Sequence, residues 1–147
     1  MIAWLKSLLR KIGLGGEQAG EDFDPELREV FFAEMDDMTQ LLERAFAVWR
    51  VNAADDGALK NLRRGFHTIK SSAMLVGATE LGQFSRQFEQ LAIRLVENRL
   101  KITPAMVVSI DQAIALLPAF SKSIRDGRPP PPQAYALGKR VERLVGA

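Results

Sequence analysis

Residues 63–78 read RRGFHTIKSSAMLVGA, and the placement of apolar side chains around this stretch decides the fold class. Leu59, Leu62, Phe66, Ile69, Ala73 and Val76 recur at spacings of 3, 4, 3, 4 and 3. That is the period of an α-helix burying one stripe. His67 is the only histidine in the chain, and it stands about 100° around the helix from that stripe. Its surface neighbours, three, four and seven residues away, are Lys60, Arg63, Arg64, Lys70, Ser71 and Met74, so the imidazole is expected to face water.

The same period appears on both sides of this helix. Asp24 and Pro25 read as an N-cap and first helical residue, opening a long helix to about Arg50 with Leu27, Phe31, Met35, Met38, Leu42, Ala45 and Trp49 on its seam. The tract Asn52 to Gly57 breaks it, and Asp55 or Asp56 can cap the histidine helix. Thr79 is read as the cap of a third helix with Leu81, Phe84, Phe88, Leu91 and Leu95 inward, and Gly77 before it as a left-handed helix stop. Thr103 and Pro104 open a fourth, lined by Met106, Ile110, Ala113, Leu117, Phe120 and Ile124, ending near Gly127 and kinked at Pro118. Short connections between four such helices predict an all-α, antiparallel up-and-down four-helix bundle over residues 24–127. The Met and Phe residues on these seams read as core packing and not as a cofactor box.

The ends are different in kind. Residues 1–23 divide into an amphipathic segment, MIAWLKSLLRKIG, and a Gly-rich linker. The segment sets Ile2, Leu5, Leu8, Leu9 and Ile12 against Lys6, Arg10 and Lys11, which predicts an extra short helix that docks on the bundle, with an anionic membrane surface or a neighbouring chain as the other possible hosts. Residues 128–147 begin with a proline run, read as an extended spacer, and finish in a short helical tail through Leu137, Val141 and Leu144. With 147 residues, no cysteine, no apolar run near 18 residues and no secretory leader pattern, the expectation is one compact cytoplasmic domain. A net charge of +2 hides a division: residues 17–56 carry −9 and residues 57–147 carry +8. The histidine lies on the basic side.

An isolated, solvent-facing imidazole excludes most enzyme chemistry. The usual zinc ligand sets need more His and Cys than the chain holds, so no metal site is expected. Cysteine nucleophiles are absent, and no G-x-S-x-G elbow offers a serine. What remains is the imidazole itself as nucleophile. Its ordinary pKa of about 6.5 leaves a neutral ring nitrogen near pH 7 able to attack an activated phosphoryl group.

HTIKSSAMLVGA, in which His67 is followed by Lys70, small residues and Gly77, resembles the signature of histidine-containing phosphotransfer (Hpt) domains. The resemblance runs from about Asp24 to Ile124, and with ELGQFSRQFEQL the wording is most similar to the Hpt modules of CheA-like kinases, particularly the hybrid histidine kinases of type IV pilus chemotaxis-like systems. It implies a two-component phosphorelay role: His67 is phosphorylated, Lys70 stabilises the phosphoryl group, and Glu89, at the position of the family's acidic or amide residue, orients the histidine. Arg63, Arg64, Ser71 and Met74 are then the partner-docking surface, with Gly77 shaping the turn. Ser71 departs from the family, which usually has glycine directly after the lysine.

The partners so implied are response-regulator receiver domains, whose acidic pocket and magnesium ion would complement the basic face, and a histidine kinase catalytic domain. No cofactor is expected in this chain itself, and no nucleotide-binding pattern occurs in it. It reads as a phosphoryl carrier and not an enzyme, either free-standing or a piece of a larger kinase. Two readings from other classes stand beside it: a structural or adaptor bundle with an incidental histidine, and a basic nucleic-acid-binding module. The second ranks lower because the basic residues lack stacking aromatics and a helix-turn-helix pattern.

Overall fold

The computed structural model describes residues 25–146, and within them every regular element is helical. These are α1 (Pro25–Val51), α2 (Asp56–Leu75), α3 (Thr79–Val96), α4 (Pro104–Arg125) and α5 (Gln133–Gly146). The expected cap at Asp24 and the readings of residues 1–23 lie outside the described residues.

Helix boundaries follow from local chemistry. The Asp55 carboxylate accepts the Ala58 N–H at 2.9 Å, and the Thr103 hydroxyl oxygen accepts the Met106 N–H at 3.3 Å, each satisfying a donor with no partner inside its helix. Three helices end in the same two-bond device. At the end of α2, Gly77 at φ 76° donates to the Met74 carbonyl and Ala78 to the Ala73 carbonyl. Asn98 and Gly127, at φ 58° and 65°, repeat it at the ends of α3 and α4. The sequence reading anticipated the two glycines and missed Asn98. It also misassigned Thr79: the N-cap of α3 is Ala78, which has no side-chain capping bond, and the Thr79 hydroxyl instead donates to the Gly77 carbonyl at 3.4 Å. Ala78 serves both helices, closing the end of α2 with its N–H and standing at the N-cap of α3.

The core is continuous through all five described helices, from Leu27, Phe31 and Trp49 of α1 to Ala134, Leu137 and Val141 of α5. A chain of rings crosses it. Phe66 of α2 stacks on Phe88 of α3 at 5.5 Å, Phe88 meets Phe84 at 5.1 Å, and Phe84 meets Phe120 of α4 at 5.0 Å. α2 and α3 form the most extensive helix pair. They run in opposite directions, with Phe66 beside Phe88 and Met74 lying on Gly82. The head of α1 meets the tail of α4, where the Arg125 guanidinium lies 4.1 Å above Phe32 and pairs with Glu29 at 3.3 Å.

α5 is more than an appended tail. It packs against both α3 and α4, which touch each other little, and so fills the space between them. The Gln87 amide donates to Glu142 at 2.9 Å and Arg94 to the Val145 carbonyl at 3.3 Å, so α5 runs parallel to α3. α4 has the length and mean hydropathy, 1.4 over 18 residues, of a membrane span, which the sequence reading did not anticipate. Met106, Ile110, Ala113, Ile114, Leu117 and Phe120 of this helix are buried in the core, while Val108 is exposed. Pro118 stands inside α4 at an exposed position.

One buried charge interrupts the α1 stripe. Glu34 is 3% exposed, and neither carboxylate oxygen has a hydrogen-bond partner among the described residues. Burial raises its pKa above the ordinary glutamate value. Because the folded-state pKa is raised, folding is favoured below the unfolded value and that contribution is lost as pH rises through the folded one. Glu34→Gln should therefore raise stability at pH 7 by about 1 kcal/mol, or about 4 °C in Tm, with the gain shrinking toward pH 4. Thermal melts of both proteins across that range check it; equal gains at both ends would show that Glu34 is not the titrating group.

Candidate functional site

The site is built on the facing sides of α2 and α3. Along α3, Gly82, Ser85, Glu89 and Ala92 recur at helical spacing and all are buried. Three of the four are small, which lets α2 approach closely. Glu89 is thus carried into the seam between the helices, with its side chain 4% exposed beside an imidazole that is 57% exposed. On α2, His67 and Lys70 stand one turn apart and both reach this carboxylate. Glu89 Oε2 bonds His67 Nδ1, and Glu89 Oε1 accepts from Lys70 Nζ at 2.7 Å.

This arrangement fixes the chemistry of the ring. An ionised carboxylate can only accept, so Nδ1 must carry the proton. In the neutral imidazole, Nε2 then holds the free lone pair. The buried acid also holds the ring's orientation, while Lys70 uses one of its three ammonium hydrogens on Glu89 and has two left for an anion beside His67. A buried carboxylate bonded on both oxygens is far less costly than an unpartnered one, and Glu34, with no hydrogen-bond partner among the described residues, shows the contrast.

The remaining candidates are spread along the same face of α2. Arg63 and Arg64 are exposed one turn before the histidine. Ser71 is half-buried one turn after it, and Met74 is 53% exposed a further turn on. Gly77 stands at the end of α2 and acts on the backbone turn, well away from the imidazole. Ser72, among the small residues that follow Lys70, is fully buried, and its hydroxyl has no partner among the described residues. It lies on the core side, next to Ala73. The resemblance implied a role for Glu89 but not its burial; the signal that could have shown that burial is the small-residue stripe through Gly82, Ser85 and Ala92. Gly82 itself was missed. A Cβ there would come within 2.4 Å of the Met74 sulfur, so the glycine forms the notch in which that side chain rests. No cluster of three or more metal-ligating side chains occurs among the described residues.

No curated protein and no solved structure matched the chain. The family model described as "Hpt domain" matches residues 26–120, well over half of the chain and the whole of the α2–α3 pair. Members of this family are phosphoryl carriers, not catalysts in themselves, and they work with kinases and receiver domains in two-component relays. With one histidine available, held by an acid between two packed helices of an all-helical fold, the chain belongs to the Hpt domain family.

Proposed function

We propose that this chain carries a phosphoryl group on His67 Nε2 and exchanges it with aspartates of response-regulator receivers. The observation that carries the proposal is the bridging position of Glu89, which ties Nδ1 and Lys70 together and leaves Nε2 as the nucleophilic nitrogen of an exposed ring. The Nε2 lone pair attacks phosphorus of an aspartyl phosphate and the bond from phosphorus to the aspartate oxygen breaks. The proton stays on Nδ1, so the phosphorylated ring is cationic and the Glu89 carboxylate offsets its charge. Lys70 stabilises the phosphoryl oxygens. Transfer outward reverses these steps.

The wider setting belongs to the same proposal. The bundle of α1 to α4 is antiparallel and up-and-down, the protein works in the cytoplasm, and its sequence is most similar to the Hpt modules of CheA-like, pilus chemotaxis-like kinases. Receivers dock over the α2 face bearing Arg63, Arg64, Ser71 and Met74, and the magnesium ion of the reaction sits on the receiver. ATP chemistry comes from a separate kinase catalytic domain.

The test is direct phosphorylation by a receiver loaded with acetyl phosphate, read as acid-labile, base-stable phosphate mapped to His67. Docking is tested at Ser71. Leucine there should slow transfer from the receiver about tenfold or more by holding the aspartate away from Nε2. Phosphorylation by phosphoramidate, a small donor with no docking surface, should be unaffected. An unchanged receiver rate in Ser71→Leu would move the docking surface off this face. Ser71→Gly, opening the same approach, should keep or increase the rate.

A further inference from the structure

The methionines of the described residues fall into two groups. Met35, Met38 and Met106 are 1%, 3% and 4% exposed, whereas Met74 is 53% exposed. Met74 lies two turns beyond His67 on the same face of α2, about 10 Å along the axis. Its place there is fixed by α3: the sulfur and Cγ lie against the bare backbone of Gly82, where a Cβ would come within 2.4 and 3.0 Å of them. The Met74 side chain is therefore held across the α2–α3 seam at the edge of the proposed docking face, with about half of the residue open to solvent.

Resting on the phosphocarrier reading, we infer that Met74 is a reversible oxidation site through which hydroperoxides lower receiver docking. The sulfur lone pair attacks the distal oxygen of a hydroperoxide and an S–O bond forms as the O–O bond breaks. Sulfur is oxidised by two electrons, and the peroxide is reduced to water or the corresponding alcohol. The product is a polar sulfoxide where an apolar thioether had been. A receiver covering His67 must bury this position, and a sulfoxide without a hydrogen-bond partner resists burial. The notch at Gly82 strengthens the effect, since the added oxygen has to turn outward toward the partner or push the side chain off α3. His67 and Lys70 both bond Glu89 without Met74, so the nucleophile is left intact.

The experiment uses the full chain with and without limited hydrogen peroxide. Peptide mapping should show one added oxygen on Met74 before any on Met35, Met38 or Met106. Transfer from a receiver loaded with acetyl phosphate should then fall about fivefold at subsaturating receiver and recover at high receiver concentration, while phosphorylation by phosphoramidate stays constant. Methionine sulfoxide reductase should restore the rate. Met74→Leu, compared with itself before and after peroxide, should show no change in transfer. Oxidation of the buried methionines first, an oxidised protein that transfers at the parent rate, or a peroxide response that persists in Met74→Leu each overturns the inference. Failure of phosphoramidate and receiver alike to label the untreated protein is a separate result, which removes the phosphocarrier reading itself.

Discussion

Replacing His67 with glutamine is expected to abolish phosphorylation by both receiver and phosphoramidate and to leave the fold intact. The loss is complete because no second histidine exists to take over. The stability change should be small, within about 0.5 kcal/mol, because the side chain is largely exposed and packs little. Glutamine keeps this balance better than alanine, since its amide can still donate to Glu89 and spare the buried carboxylate a lost partner. Radiolabelled transfer and a thermal melt on the same preparation check both halves. Acid-labile phosphate persisting on His67→Gln would overturn the assignment of the nucleophile.

Glu89→Gln is expected to have the next largest effect, slowing transfer by about 10–100-fold, the range over which removing a histidine's orienting partner acts in metal sites. Glu89 accepts from His67 on one oxygen and from Lys70 on the other. An amide has one accepting oxygen and one donating nitrogen, so it can satisfy only one of these donors. If the oxygen faces Lys70, the ring turns over its tautomer and Nε2 takes the proton; if it faces His67, the ammonium meets another donor. Neither arrangement offsets the positive charge of a phosphorylated ring. The stability change is expected to be larger than for His67→Gln, because the affected group is buried. NMR of the ring nitrogens separates orientation from packing: a purely structural defect lowers the rate with the proton still held on Nδ1, whereas a lost carboxylate also frees the ring to carry that proton on Nε2. A parent-like rate with the ring proton still on Nδ1 in Glu89→Gln would remove Glu89 from the mechanism.

Much of the architecture was legible because helical period and end signals are local. The seams of α1 to α4, the caps at Asp55 and Thr103 and the glycine stops depend on residues within a few positions of one another. What depends on another helix was not legible. Glu89 sits 22 positions from His67 in sequence, and nothing in its own helix distinguishes an acid pointing at solvent from one lying in a seam, apart from the small residues a turn away on each side. Ser72 shows the same dependence: one position separates it from the half-buried Ser71, and that 100° step carries it into the core. The proline run was read as a spacer before a short helical tail, with no host named for that tail; α5 buries Ala134, Leu137 and Val141 between two other helices. A 14-residue amphipathic helix reveals its apolar side from sequence but not which groove receives it.

The tight turn at Gly77 bears on the order in which the molecule assembles. α2 and α3 are joined through only Val76, Gly77 and Ala78, and their contacts link residues close in sequence. Loop closure there has a small entropic cost, so this hairpin is the natural early-forming unit, while α1 with α4 and α3 with α5 must close far longer loops. His67, Lys70 and Glu89 all lie within the hairpin. The reactive geometry can therefore be in place before the distant ends of the chain arrive, and the outer helices act afterwards as clamps that hold it.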